Sequence, residues 1–246
     1  MGRIAAARIR RFDYHGTMHA TPDMARIANL MGDRARGTML TCLMAGRPLT
    51  ATELARAARV TKQTASSHLA KLVDARLVGV ESVGRHRYFR LADHEVGAAI
   101  EHLVGLARRV GAVADAGSVD PALRKARVCY DHLAGDLGVL VFDGLVAQRL
   151  LRTDDTRLSL TEQGEAFCRR LGIDVAQLER GRRPLCLACL DWSARRHHLA
   201  GALGAAIMYR CFELGWARRH KGSRAVSFSA SGERSLRARF AGAGRV

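Results

Sequence analysis

No apolar run in this chain reaches the roughly eighteen residues that a bilayer-spanning helix needs, so a helical membrane protein is not expected. There is no Gly-rich phosphate loop, no Gly-x-Ser-x-Gly elbow, no His-Glu-x-x-His pair and no zinc-deaminase pattern. The chemistry that depends on those arrangements has no footing, and no enzyme activity is expected. Carboxylates are in short supply: 23 Asp plus Glu stand against 40 Lys plus Arg, a formal net charge of +17 over 246 residues. Such an excess favours an anionic partner, through phosphate neutralisation and counterion release. A generally basic surface, or binding at a membrane surface, is the plainer alternative. The six cysteines (Cys42, Cys129, Cys168, Cys186, Cys189 and Cys211) are spread through a chain with ample apolar content. That argues against a disulfide scaffold and for the reducing cytoplasm. The first twenty residues carry Arg3, Arg8, Arg10 and Arg11 against Asp13 and lack an apolar core with a cleavage site. They read as a basic N-terminal arm, not a signal peptide.

The stretch that organises the rest is 61–74, TKQTASSHLAKLVD. Thr61 is a good N-cap, and Ala65, Leu69, Leu72 and Val73 recur at helical spacing. The other face carries Lys62, Gln63, Ser66, Ser67 and Ala70, where a merely solvated helix would show more Glu and Lys. Small hydroxyls, an amide and a cation suit close approach to a DNA major groove. Before it, Thr50 to Glu53 has the spacing of a capping box and starts a short helix with Leu54, Ala57 and Ala58. Two short helices joined by about three residues have helix-turn-helix spacing. Earlier still, Thr21-Pro22 is expected to open a helix through about Leu30, and Asp33 to cap a second one. After the recognition helix, 77–83 and 86–91 alternate like strands around Gly84-Arg85, a hairpin in the position of a wing. The candidate DNA contacts are Thr61, Lys62, Gln63, Thr64, Ser66, Ser67, His68 and Lys71 on the helix, with Arg85, His86 and Arg87 at the wing tip.

The run LTATELARAARVTKQTASSHLAKLVDARLVGVESVGRHRYFRLA resembles the DNA-binding module of the ArsR/SmtB family of small bacterial repressors. The resemblance covers about residues 20–110, and QTASSHLAKL is its most characteristic part. It implies a homodimer in which the first and last helices of the module pair across a two-fold axis, presenting two heads to a palindromic operator in double-stranded DNA. The last helix would be 93–109, with Val96, Ile100, Leu103, Val104 and Ala107 as its apolar stripe. The chain also departs from the family. ELARAARV, before the recognition helix, has no Cys-x-Cys, and Asp93, His94, Glu101 and His102 do not follow the spacing of the family's zinc sensors.

Beyond a small, polar linker at 111–120 the chain repeats itself. His132-Leu-Ala-Gly-Asp-Leu-Gly138 returns as His198-Leu-Ala-Gly-Ala-Leu-Gly204, each followed by an apolar helix, a strand pair and a capped helix. The expected architecture is therefore mostly α with small β-hairpins. It comprises an N-terminal winged helix-turn-helix for DNA binding and dimerisation (21–110) and a C-terminal effector domain (121–246) of two duplicated helix–hairpin–helix units, about 130–172 and 196–241. Between the copies a short helix followed by a longer one is expected, the latter bridging the units. The CYDHLAG and CLDWS runs resemble those of larger ArsR-type regulators with an added C-terminal domain.

Candidates for an effector or redox site are Cys129, His132, Cys186, Cys189, His197 and His198. Cys186 and Cys189 form a CxxC whose sulfurs would share one helix face, suited to redox exchange or two metal bonds, or else are small core residues. His132 and His198 occupy equivalent positions and either brace helix starts or meet as a binding pair. The basic hairpin Arg218 to Arg224 either touches DNA phosphates or faces solvent. These features point to a DNA-binding repressor answering to a metal ion, a small molecule or thiol oxidation. A non-specific architectural nucleic-acid protein and a thiol-dependent enzyme are the alternatives.

Overall fold

The computed structural model describes residues 23–111, 120–154, 157–220 and 222–241. The basic arm at 1–20, the Thr21-Pro22 helix opening, most of the 111–120 linker and Lys221 lie outside the described residues. The first helix, α1 (Met24–Gly32), starts instead from Asp23, whose carboxylate accepts from the Arg26 amide. Asp33 caps α2 (Arg34–Leu43) in the same way. Then β1 (Leu49–Thr50) leads into α3 (Ala51–Ala58), started by a reciprocal Thr50–Glu53 capping box. Such a cap contributes about 1 kcal/mol to a helix of this length. Arg59, left-handed at φ 55°, closes α3 and begins the turn into α4 (Lys62–Asp74). The wing is β2 (Val78–Val83) with β3 (His86–Leu91), and β1 joins β3 on its free edge to make an antiparallel sheet ordered β1-β3-β2. Leu40, Leu43, Leu54, Leu69, Leu72 and Phe89 close this unit's core.

The last helix of this half, α5 (His94–Arg109), buries Gly97, Ile100 and Glu101. The apolar stripe expected along it is divided: Ile100 is buried, Val96 and Val104 are half-buried, and Leu103 is 46% exposed, with Leu106 exposed beside it. The reason is that α5 rests on the C-terminal half of its own chain, with Gly97 against the Tyr130 side chain and Gly105 against Trp192.

The C-terminal half opens with a short helix, α6 (Pro121–Lys125). Next come a hairpin of β4 (Arg127–Cys129) and β5 (His132–Ala134), α7 (Asp136–Ala147), a hairpin of β6 (Leu151–Asp154) and β7 (Arg157–Leu160), and α8 (Glu162–Arg170). After α9 (Val175–Glu179) the same order returns. A hairpin of β8 (Leu187–Leu190) and β9 (His197–Ala200) precedes α10 (Gly201–Glu213), β10 (Ala217–Arg219), β11 (Val226–Phe228) and α11 (Ala230–Phe240). Each copy thus carries a leading hairpin absent from the sequence expectation. The longer bridging helix expected after α9 is not formed: its place is taken by β8, paired antiparallel with β9. Pro184-Leu-Cys-Leu-Ala-Cys-Leu190 is apolar throughout, and a short run of that kind fits a buried strand as well as a helix.

Gly135 (φ 83°) and Gly201 (φ 82°) make the sharp turn from each leading hairpin into its helix. This left-handed conformation, with the carbonyls of Arg124 and Leu185 against the two α-carbons, admits no side chain. The copies are interleaved, α7 packing on β9 and α10 on β5. Leu137, Val141, Leu145, Leu203, Ile207 and Met208 fill the core between them. A second core crosses the boundary between the halves, since Cys129, Ala134, Cys189 and Ala200 pack with the core of the N-terminal unit. The Tyr130 amide donates to the Met44 carbonyl at 3.0 Å.

Candidate nucleic-acid interface

Thr61 Oγ1 accepts from the Thr64 amide at 3.1 Å and shares a 2.8 Å hydrogen bond with the Thr64 hydroxyl, starting α4 cleanly. Ala65, Leu69 and Leu72 face the core. On the other side Thr61, Lys62, Gln63, Thr64, Ser66, Ser67, Ala70 and Lys71 are all exposed. Arg85, His86 and Arg87 at the wing tip are exposed as well. His68 departs from this group. Its Nδ1 lies 3.3 Å from Arg36 Nη1 and 3.8 Å from Asp33, so it braces α4 against α2 and is turned away from the exposed face.

Two arginines of the basic hairpin, Arg219 and Arg224, are turned inward, while Arg218 and His220 are exposed. Arg219 donates to the Ala45 carbonyl at 2.6 Å and lies over the rings of Tyr209 and Phe212, while Arg224 reaches Glu101 at 3.2 Å. These two cations therefore fasten the C-terminal half to the N-terminal unit and depart from the expectation that the hairpin meets phosphates or solvent.

Of the six effector candidates, four converge. Cys129, His132, Cys189 and His198 are all buried, with two sulfurs and two ring nitrogens lying within 4.8 Å of one another. Cys129 sits directly across the β4–β5 ladder from His132, and Cys189 directly across β8–β9 from His198. Each leading hairpin thus contributes one thiol and one imidazole. Cys186 is excluded because it precedes β8: in extended chain, residues three apart point to opposite faces, so its thiol enters the C-terminal core. Burial pushes that thiol up to about 12. His197 is exposed and stands beside Phe142, with ring centroids 6.1 Å apart.

The two imidazoles meet through Nε2, 3.1 Å apart. His132 Nδ1 lies 3.1 Å from Asp131, which Arg183 holds from the far side. His198 Nδ1 lies 3.4 Å from Asp191 Oδ2, close enough for attraction but too poorly directed for a hydrogen bond. Burial opposes charge on His198, yet Asp191 and Cys129 beside it raise it to about 9. Its hydrogen bond with Cys189, together with burial, pushes the Cys129 thiol up to about 12.

Asp191 is the hub of a larger buried network. Its Oδ1 accepts from the Ser193 and Ala194 amides and from the Ser193 hydroxyl, which is what the Asp-Trp-Ser sequence achieves. Its Oδ2 accepts from the Gly135 amide at 2.7 Å and from Arg127 at 3.1 Å. Arg127, sealed under the Trp192 ring, pairs at 2.6 Å with Glu101 of α5. Burial disfavours the Glu101 charge, but Arg127 and Arg224 outweigh it and hold the carboxyl below its ordinary range. Sequence reasoning missed this network, although Asp191, which follows the apolar run 184–190, was its one signal.

Among the described residues no helix is long and apolar enough to cross a membrane. Residues 31–81 match a family model described as a helix-turn-helix domain. Over 213 residues the chain is 42% identical to the HTH-type transcriptional regulator YdfF of Bacillus subtilis (strain 168), a match spanning 86% of this chain and 94% of that one. Among solved structures it is similar to HlyU from Vibrio cholerae N16961, at 27% identity over 33% of this chain and 88% of that one, TM-score 0.31. It is also similar to the cadmium metal-sensor CMTR from Mycobacterium tuberculosis, at 28% identity over 39% and 91%, TM-score 0.27. By its relationship to YdfF and its helix-turn-helix match, this chain belongs to the HTH-type transcriptional regulators.

Proposed function

We propose that the chain is a cytoplasmic, homodimeric repressor without enzyme activity. Its winged helix-turn-helix (21–110) binds a palindromic operator, and its C-terminal half (121–246) takes up the signal that changes DNA affinity. The observation that carries this reading is the exposed face of α4. Lys62, Gln63, Ser66 and Ser67 are exposed among the described residues, and a major groove accepts a helix of that width. In this reading these four, with Thr61, Thr64 and Lys71, meet base edges and nearby phosphates, while Arg85, His86 and Arg87 meet backbone or minor groove.

Dimerisation is supported by what α1 and α5 leave uncovered. No residue of α1 is buried, Met24 is 80% exposed, and Ile27, Leu103 and Leu106 are exposed too. Paired across a two-fold axis, such helices set the spacing of the two α4 heads, and half-sites about one helical turn apart require that spacing to be held. An effector acts by binding one spacing better than another.

The test is footprinting on the DNA upstream of the protein's own gene, with sedimentation to give the oligomeric state. A protected palindrome bound by a dimer is the expected result. Uniform weak protection of unrelated sequences would assign the chain to architectural nucleic-acid binding instead.

A further inference from the structure

Two imidazoles that meet nitrogen to nitrogen inside a protein need something between them. His132 and His198 each turn Nδ1 toward a carboxylate, Asp131 in one case and Asp191 in the other. A carboxylate at Nδ1 favours the proton there and leaves Nε2 as a lone pair, the arrangement that orients metal-ligating histidines. The two Nε2 atoms then face each other across 3.1 Å, sharing a proton where no ion is bound, with the sulfurs of Cys129 and Cys189 completing the group. Two acceptors at that distance repel unless a proton or a cation lies between them. In a tetrahedral site with metal–nitrogen bonds of about 2.0–2.1 Å, two ligand nitrogens stand about 3.3 Å apart. The observed separation is within a few tenths of an ångström of that value.

We propose that Cys129, His132, Cys189 and His198 form a tetrahedral Cys2His2 site for one thiophilic divalent d-block cation, of the zinc or cadmium class, and that the bound ion fixes the Asp191–Arg127–Glu101 network beneath α5. Thiolate and imidazole select such ions and disfavour magnesium or calcium, which take oxygen ligands. The four side chains are buried and come from the protein alone, which is the closed geometry of a tightly held ion. Binding releases the two thiol protons and the proton shared by the two Nε2 atoms to solvent as the two metal–sulfur and two metal–nitrogen bonds form, with no change of oxidation state.

The site joins the two copies directly. Each leading hairpin supplies half of the ligand set, and each histidine rests on the helix of the other copy, His198 Cβ 3.5 Å and His132 Cβ 3.4 Å from where a methyl on Gly138 or Gly204 would stand. It also communicates outward. Asp191 lies against His198 Nδ1, Arg127 against Asp191, and Glu101 of α5 against Arg127. Placing this ion as the effector rests on the repressor reading above, whereas the ligand set stands on the geometry alone.

The test uses the full chain, reduced, stripped with a chelator and titrated anaerobically with Co(II). The expected result is the intense visible absorption of tetrahedral cobalt with a thiolate charge-transfer band, saturating at one equivalent per chain and bleached by Zn(II). Cys129→Ser and Cys189→Ser lose these bands, whereas Cys186→Ser, also a buried thiol, keeps them. Circular dichroism separates loss of ligand from loss of fold, and His132→Gln and His198→Gln provide variants that leave both thiols in place. Absent bands, bands unchanged in the Cys129 and Cys189 variants, or a disulfide forming in place of metal uptake would each overturn the site. Hydrogen exchange across 94–109 is expected to slow when Zn(II) is added, and an unchanged rate would overturn the coupling to α5. Footprinting of the stripped protein is a separate reading. A protected operator without cobalt bands would sink the metal site and leave the repressor standing, while cobalt bands without any footprint would do the reverse.

Discussion

Glu101 Oε1 lies 2.6 Å from Arg127 Nη2, with both side chains fully buried. One residue belongs to the last helix of the DNA-binding unit and the other to the first strand of the C-terminal half. A buried pair of this kind adds little over an apolar contact, but removing one partner leaves an uncompensated charge. Here Arg127 would be left with Asp191 as its one buried carboxylate, and Arg224 would lose its partner as well.

Glu101→Gln is therefore expected to destabilise the protein by about 3–5 kcal/mol. Urea unfolding measures it, and a loss no larger than that of an exposed Glu95→Gln control would contradict the account. The pH dependence has a defined sign. The folded-state carboxyl is held below its ordinary value of 4.5, so its contribution is fully present above that pH. It is lost as pH falls through the folded value. The variant should show a shallower loss of stability in acid than the parent.

Gln63→Ala and Ser67→Ala are expected to cost about 1–3 kcal/mol of operator affinity each and to relax the base preference at one position. Arg85→Ala and Arg87→Ala should weaken binding to all sequences alike and reduce the salt slope by about one apiece. Anisotropy titrations at several salt concentrations distinguish the two patterns. A reversal, with specificity lost at Arg85 and kept at Gln63, would mean that α4 does not read the groove.

Leu103→Glu with Leu106→Glu places two charges on the uncovered part of α5 and should yield a folded monomer that has lost operator binding. Sedimentation equilibrium checks it. A dimer of unchanged strength would move the two-fold axis elsewhere.

Gly138→Ala and Gly204→Ala each insert a methyl against a backbone carbonyl, Leu133 in one case and Leu199 in the other. Overpacking at fixed backbone costs about 1–3 kcal/mol. Both variants should unfold at lower temperature than the parent, and by similar amounts because the two contacts are equivalent. If only one of them were sensitive, the copies would not share the close helix–hairpin approach described here.

The caps were legible because they are local: Thr50 with Glu53, Thr61 with Thr64 and Asp33 with the Arg36 amide each act within three residues. The face of α4 was legible for the same reason, apart from His68, whose partner Arg36 lies thirty-two residues away. Cys186 and Cys189 looked equivalent in a motif, yet Cys186 precedes β8 and Cys189 lies in it, so their thiols enter different cores, and the motif does not state which element it occupies. The 66-residue repeat offered a meeting of His132 and His198 as one of two outcomes. Choosing between them required the leading hairpins, whose three- and four-residue strands are too short to declare a period. Arg127, Asp191 and Glu101 share no local pattern, so only the folded chain brings them together.

The crossing of α7 over β9 and α10 over β5 has a consequence for how this chain is divided. Cut after α8, the first copy would keep Cys129 and His132 but lose the surface its helix rests on, so neither copy is a module that travels alone. The two copies share one core, so a break between them is expected to cost both their packing.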